Sequence, residues 1–244
     1  MSSLFHNVVY LPIYNLLIAL VDVIPGGDVG LAVIGITVIV KLVLLPLSLS
    51  AVRTQRAMKL LEPELKELKE RYKDDKETQA REMFALYKKN NVKPFASILM
   101  LFIQLPILFG LYFVSQHAVL QQVDPTLLYS FISVPETVSP LFLGIFVLTG
   151  SSLILALVAA ATQALQAWYA IPVPPKSTSK TPSMQEDFGR AIALQARFIF
   201  PLLIGFIAYT SAVLALYFTA SNLFMVAQEF VVRKLHPTPK PVTA

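Results

Sequence analysis

The 244-residue chain has no cysteine, three histidines, one tryptophan and only 14% charged side chains. Without cysteine there is no disulfide, no thiolate metal site and no cysteine nucleophile, and nothing follows about compartment. His6, His117 and His236 lie far apart near predicted loops or ends and make a poor zinc set. No nucleotide-binding loop, zinc motif or nucleophile elbow occurs. A soluble domain carries about a quarter charged residues. This chain falls well short of that, with a mean hydropathy of +0.64 and apolar residues in long blocks. A soluble enzyme and a disordered binder are both disfavoured. The composition predicts an all-α polytopic membrane protein.

A spanning helix needs about 20 mostly apolar residues. The stretches 31–51 and 95–115 qualify, and 139–171 is longer than a span needs, which predicts tilt or projection. Residues 198–230 are also mostly apolar. As one helix they would be about 50 Å long, against a hydrocarbon core of about 30 Å. A turn near Tyr209-Thr210-Ser211 therefore divides the end of a span at 191–209 from a span at 211–230. Five spans result. Of the 20 lysines and arginines, none lies in 1–40 or 95–175, and twelve lie between Arg53 and Lys93. The positive-inside rule then assigns 52–94, 172–190 and 231–244 to the cytoplasm, and 1–30 and 116–138 to the outside. Within 1–30, residues 8–24 are long enough for a short sixth span. Pro12, Asn15 and Asp22 favour instead an interfacial helix on the outer surface, apolar face down. No basic n-region or A-x-A site marks a signal peptide there.

The segment 52–94 carries 12 basic and 8 acidic side chains. Leu61, Leu65, Leu68 and Tyr72 recur at helical spacing, Pro63 suits a first turn, and Glu62–Lys66 and Glu67–Arg71 are favourable i,i+4 pairs. Lys73-Asp74-Asp75-Lys76 reads as a turn. A second helix is predicted at about 77–89, with Ala80, Met83 and Tyr87 on one side, ended by Asn90, Asn91 and Pro94. The result is a helical hairpin standing off the membrane. Most of its charges suit a solvated surface. Arg53, Arg56, Lys59, Lys66, Lys69, Arg71, Lys88 and Lys89 are its candidates for docking a partner or anionic lipid headgroups. Trp168 and Tyr169 suit an interfacial belt, and 172–183, rich in Pro, Ser and Thr, reads as a flexible linker.

Lys41 is the residue that lipid does not explain. It lies near the middle of the first span, where a lysine costs roughly 2.5–3.5 kcal/mol. Either end of that span is about 15 Å away, whereas a lysine stem reaches only about 6 Å, so snorkelling falls short. No acidic residue is central in any predicted span. The ammonium group is expected to meet water, carbonyls or a polar groove. Gly30, Thr37, Lys41 and Ser48 share a sector of the first span; Ser97, Gln104 and Ser115 share a face of the second; Ser152, Ala156, Ala159, Gln163 and Gln166 form a small and polar stripe on the third; and Ser221 and Asn222 lie in the fifth. Helix-packing glue is the plain reading of each serine or threonine alone. Together with Lys41 they suggest a wet, positively charged intramembrane cavity, with Lys41, Thr37, Ser48, Gln104, Gln163, Gln166, Ser221 and Asn222 as its candidate lining. A proton relay is disfavoured without an intramembrane carboxylate.

These residues resemble the YidC/Oxa/Alb3 family of membrane protein insertases, through nearly the whole chain and most densely over 31–112. Lys41 followed by Pro46-Leu47 is similar to the family's first core span. Leu61-Glu62-Pro63-Glu64-Leu65, the 72–76 turn and Leu86-Tyr87-Lys88 resemble its cytoplasmic hairpin. Pro94 with Ile103-Gln104-Leu105-Pro106 resembles its second core span, and Leu216-Tyr217 with Ser221-Asn222 its last. Two departures stand out. The family's groove residue is usually arginine, and Lys41 offers a point charge in place of a bidentate fork. The usual Pro-x-Gly before the last span is replaced by Tyr209-Thr210-Ser211-Ala212.

The resemblance implies a minimal bacterial core form in the plasma (inner) membrane, N-terminus outside and C-terminus cytoplasmic. It implies insertion of nascent membrane proteins through a hydrophilic groove open to cytoplasm and lipid, alone or beside the Sec translocon. The hairpin would contact the ribosome, the translocon or the incoming chain. Membrane lipids are further partners; no cofactor, metal, nucleotide or DNA is expected, and no chemical catalysis. Two other classes stay open: a small anion transporter or channel using Lys41, and an assembly chaperone that binds helices without moving tails.

Overall fold

The computed structural model of the protein describes residues 3–90, 92–93, 96–114, 123–170 and 184–235. The predicted linker at 172–183, His117, His236 and most of the tail at 231–244 lie outside the described residues. The described residues are mostly helical, and the chain divides into two units, one of residues 1–41 and 109–244 and one of residues 42–108.

The first unit opens with α1, Ser3–Val23, which contains a π-helical turn at His6–Tyr10 and has Pro12 in the first turn of the α-helical part that follows. α1 ends where Pro25, Gly26 and Gly27 turn the chain, both glycines with positive φ. Asp28 then starts α2, Val29–Val43, its Oδ1 accepting the Leu31 amide at 3.0 Å as an N-cap. From residue 123 the chain runs through an irregular segment. This holds a short antiparallel hairpin of β1, Leu141–Phe142, and β2, Phe146–Val147. α7, Leu153–Ala170, α8, Met184–Tyr209, and α9, Ala212–Leu235, pack together as a three-helix group. Small side chains let these helices approach. Ala156, Ala159, Ala193, Ala196, Ala208, Ala212 and Ala215 are buried, and a Cβ at Gly205 would lie 3.0 Å from that of Ala160. The outward faces are the reverse of a soluble protein's, with Leu153, Ile154, Leu157, Phe198, Leu202 and Phe206 exposed. The largest fully buried side chains of this unit include Tyr14, Leu17, Ile18, Ile36, Leu111 and Leu148.

The second unit contains α3, Leu45–Leu60, α4, Glu62–Arg71, α5, Lys76–Lys89, and the first part of α6, Ala96–Val114. α4 and α5 pack as the helical hairpin. Pro63 sits in the first turn of α4. The side-chain amide of Gln79 donates to the Lys69 and Tyr72 carbonyls at 2.9 and 3.3 Å, closing the turn.

Four helices among the described residues, Ser3–Val23, Leu153–Ala170, Arg190–Tyr209 and Ala212–Lys234, are long and apolar enough to cross a membrane; α2 with the start of α3 makes a fifth if the broken pair is one span. The protein is a helical polytopic membrane protein. Several predicted boundaries shift. The stretch 139–171 is not one projecting helix: Pro140, Gly144 and Gly150 make a β-hairpin of its first part, and the helix begins only at Leu153. The span at 31–51 is interrupted at Leu44, because Pro46 cannot continue a helix through its own missing N–H. α3 then runs on to Leu60, into the stretch 52–94 that the sequence predicts as the hairpin. Ala80 is exposed on α5, and Thr78, Gln79, Glu82, Met83, Leu86 and Tyr87 are the partly buried positions.

The turn before α2 yields a paired test. At Gly26 a Cβ meets nothing within 4 Å, whereas at Gly27, with φ +64°, it would fall 2.1 Å from the backbone oxygen of Thr137. Gly26→Ala should cost about 1–2 kcal/mol, the strain of the left-handed region alone. Gly27→Ala adds a backbone clash and should cost at least about 3 kcal/mol. Thermal unfolding of the two detergent-solubilised variants checks the order.

Candidate functional site

Lys41 occupies the last turn of α2 and is buried, with 7% of its surface exposed. The negative end of the α2 dipole favours a cation in that turn. Thr37, one turn earlier on the same sector, is also buried. Its hydroxyl donates to the Val33 carbonyl at 2.6 Å, so it is satisfied within its own helix.

A second polar group lies on α7 and α9, which one hydrogen bond joins. The Gln163 side-chain amide donates to Gln166 Oε1 at 3.2 Å, and Gln166 is buried. Thr162 donates to the Val158 and Ala159 carbonyls, and its oxygen accepts from Asn222 Nδ2 at 3.4 Å across the helix pair. Ser221 and Asn222 are buried, and Ser221 is hydrogen-bonded to Tyr217 on the same helix. Thr162 and Tyr217 were not among the predicted lining residues. The spacing held a signal for Thr162, three residues after Ala159 on the edge of the small and polar stripe. Ser152 proves to be a helix cap, its Oγ accepting the Leu155 amide at 3.4 Å.

Of the predicted lining, Thr37, Lys41, Gln163, Gln166, Ser221 and Asn222 belong to the first unit; Ser48 and Gln104, both half-buried, belong to the second. The C-terminal ends of α7 and α9 are clamped by Arg233. Its Nε donates to Glu229 Oε1 at 2.9 Å, its guanidinium lies 4.6 Å from the Tyr169 ring centroid, and it donates to the Tyr169 carbonyl. Arg197 stacks 5.1 Å from the centroid of Trp168. Trp168 and Tyr169 are thus cation–π partners. Glu229, near the end of the fifth span, pairs with Arg233.

On the hairpin, Arg53, Lys66, Arg71, Lys88 and Lys89 are exposed and Lys69 is half-buried. The side chains of Arg56 and Lys59 lie outside the described residues. A cleft of about 310 Å³ between α4 and α5 is lined by Glu64, Glu67, Arg71, Glu82 and Lys89 among others, a mixed-charge surface. Asp75 caps α5, accepting from the Thr78 amide at 3.0 Å and its hydroxyl at 2.6 Å.

A family model described as 60Kd inner membrane protein matches residues 20–239. The chain belongs to this family. Among its relatives, the "Membrane protein insertase YidC" of Clostridium tetani is 29% identical over 86% of this chain and 84% of its own length. The protein of the same name from Cellvibrio japonicus is 45% identical over 38% of this chain, which is 17% of its own length. That from Clostridium perfringens is 39% identical over 42% of this chain and 48% of its own. For two of these three the matched part is less than half the relative. The protein is a multi-pass protein of the bacterial inner membrane.

The Asp75 cap sets a pH dependence. Hydrogen bonds from Thr78 hold its carboxyl below the ordinary 3.8. A depressed carboxyl stabilises the fold above the unfolded value and loses that contribution as pH falls through the folded one. Protection against amide exchange in the first turn of α5, taken relative to the intrinsic rate at each pH, should therefore fall below pH 3.8. Asp75→Ala should show the lower protection already at neutral pH, measured by hydrogen–deuterium exchange on the full chain.

Proposed function

We propose that this chain inserts nascent membrane proteins into the inner membrane, with Lys41 drawing acidic residues of a short hydrophilic tail into a polar intramembrane groove. The observation that carries the proposal is the buried Lys41 in a chain of this family. The polar groups of Gln163, Gln166 and Thr162 on α7 and of Asn222 on α9 supply further uncharged contacts. The driving force is the transfer of about 20 apolar residues of the client from water into lipid, and the groove lowers the barrier for the polar tail. No nucleotide is needed. The exposed basic residues of α4 and α5 serve contact with the ribosome, the Sec translocon or lipid headgroups.

The N-terminus is placed outside and the C-terminus in the cytoplasm. The distribution of lysine and arginine supports this. α1 is placed on the outer surface although it is long enough to span. Its middle is joined to an irregular, exposed segment: Tyr14 Oη accepts the Asp124 amide at 2.8 Å, and Asn15 Oδ1 accepts the Tyr129 amide at 2.7 Å. Exposed irregular backbone does not occur at hydrocarbon depth, so the middle of α1 belongs at the water boundary.

In reconstituted vesicles, Lys41→Ala should lower insertion of an acidic-tailed client by about tenfold, the equivalent of ~1.4 kcal/mol. Lys41→Arg should retain activity. An intact alanine variant defeats the charge role, and a dead arginine variant defeats simple attraction. Anion flux in the same vesicles without insertion would instead assign a transporter.

A further inference from the structure

We propose that the β1–β2 hairpin is a lipid wedge, its tip inserted at the headgroup–acyl boundary of the leaflet where α7 begins. Four observations converge on it. The first is the pattern of exposure. Leu141, Leu143, Ile145 and Val147 point outward at every second position, Leu143 57% and Ile145 72% exposed. Phe142 and Phe146 turn inward, with ring centroids 6.3 Å apart. A strand with one face in water carries polar residues on that face; this one carries aliphatic ones.

The second is the turn. Leu143 and Gly144 have φ of +52° and +70°, and the Ile145 amide donates to the Phe142 carbonyl at 3.1 Å. Positive φ at both central positions is the signature of a type I′ turn, whose first central residue is ordinarily Asn, Asp or Gly. A leucine there is strained. The strain is matched to an environment in which an aliphatic tip is favourable and an asparagine is not.

The third is backbone satisfaction, which lipid demands and water does not. The Leu143 amide donates to Asp28 Oδ2 at 2.7 Å, the Leu141 amide to Ser139 Oγ at 3.2 Å and the Leu148 amide to the Pro140 carbonyl at 2.9 Å. From residue 137 to 175 the chain has no charged side chain.

The fourth is depth. The Phe142 ring lies where a Cβ on Gly30, in the first turn of α2, would come within 2.5 Å of it. The Gly150 carbonyl accepts the Ala212 amide at the start of α9 at 2.8 Å. α7 starts three residues after Gly150, and its Leu153, Ile154 and Leu157 are exposed. The outward face of the hairpin is therefore level with the ends of candidate spans and continuous with their lipid-facing surface. Under the orientation proposed above this is the outer leaflet; the wedge itself depends only on α7 crossing the membrane.

The absence of cysteine makes the test direct, because Ile145→Cys supplies the sole thiol of the full chain. In proteoliposomes this thiol should react with a water-soluble methanethiosulfonate at least about tenfold more slowly than Thr126→Cys on the exposed segment. A nitrobenzoxadiazole probe on it should be quenched by lipids carrying a shallow doxyl group. Adding Leu143→Asn, which relieves the turn, should raise the reactivity of Ile145→Cys toward that of Thr126→Cys. Reaction as fast as at Thr126→Cys would overturn the proposal. So would a protected thiol that doxyl lipids do not quench and that forms disulfides with a second copy, since the cover would then be protein.

Discussion

Irregular backbone beside a bilayer carries donors and acceptors that lipid cannot satisfy, and Asp28 is where this chain meets that constraint. One carboxylate oxygen caps α2 through Leu31, and the other receives the Leu143 amide from the β-hairpin. Its neighbours Gly27 and Val29 exchange backbone hydrogen bonds with Ser139 at 2.8 and 3.2 Å. Gly150 extends the same layer to the start of α9. The N-terminal ends of α2 and α9 and the approach to α7 are thereby joined through one loop. A buried carboxylate is tolerable there because both oxygens receive amide donors and the positive end of the α2 dipole faces it. Asn15 does the same for α1, donating to Leu11 and Leu127 and accepting from Tyr129.

With one end held in this way, helix packing decides the rest. Between membrane helices there is no hydrophobic effect to exploit, so close approach and a few hydrogen bonds must serve. The alanines of α7, α8 and α9 and Gly205 provide the approach. Thr162 with Asn222 provides a bond across, and Arg233 with Glu229 and Tyr169 closes the far end of α7 and α9. The hydroxyls of Thr37 and Thr162 bond back to their own helices. They add polarity to the interior without presenting unpaired donors.

Much of this was legible in the chain because the physics is local. The leucines at 61, 65 and 68 mark one face of a helix whatever surrounds it, and Pro63 marks its start. Apolar length reveals α7, α8 and α9. Long-range pairing is another matter. Asn15 reads as a flaw in an apolar helix until the Leu127 carbonyl and Tyr129 amide are placed beside it. Thr162 is unremarkable until Asn222, sixty residues on, is seen to reach it. The stretch 139–152 misleads in a different way. Its uncharged Leu, Phe and Val suit a span by composition, and only Pro140, Gly144 and Gly150 argue otherwise. A membrane-facing hairpin and a membrane helix draw on the same residues, so composition cannot separate them; the punctuation can.

The spacing between Lys41 and Pro46 now has a physical reading. Pro46 has no amide to donate and its ring crowds the carbonyl four residues back, so α2 stops at Val43 and α3 restarts at Leu45. Ending the helix there puts Lys41 in a last turn rather than mid-helix, although it is central to the apolar run. A last turn is where the backbone dipole favours a cation. The proline thus converts the worst site for an ammonium group in an apolar segment into one with partial electrostatic compensation. The charge keeps its depth without a carboxylate on a neighbouring helix being required by the sequence. A helix that continued unbroken for two turns past Lys41 would leave the charge at the same position with less of that compensation. The lysine and the proline act as one device, the second setting the electrostatics of the first.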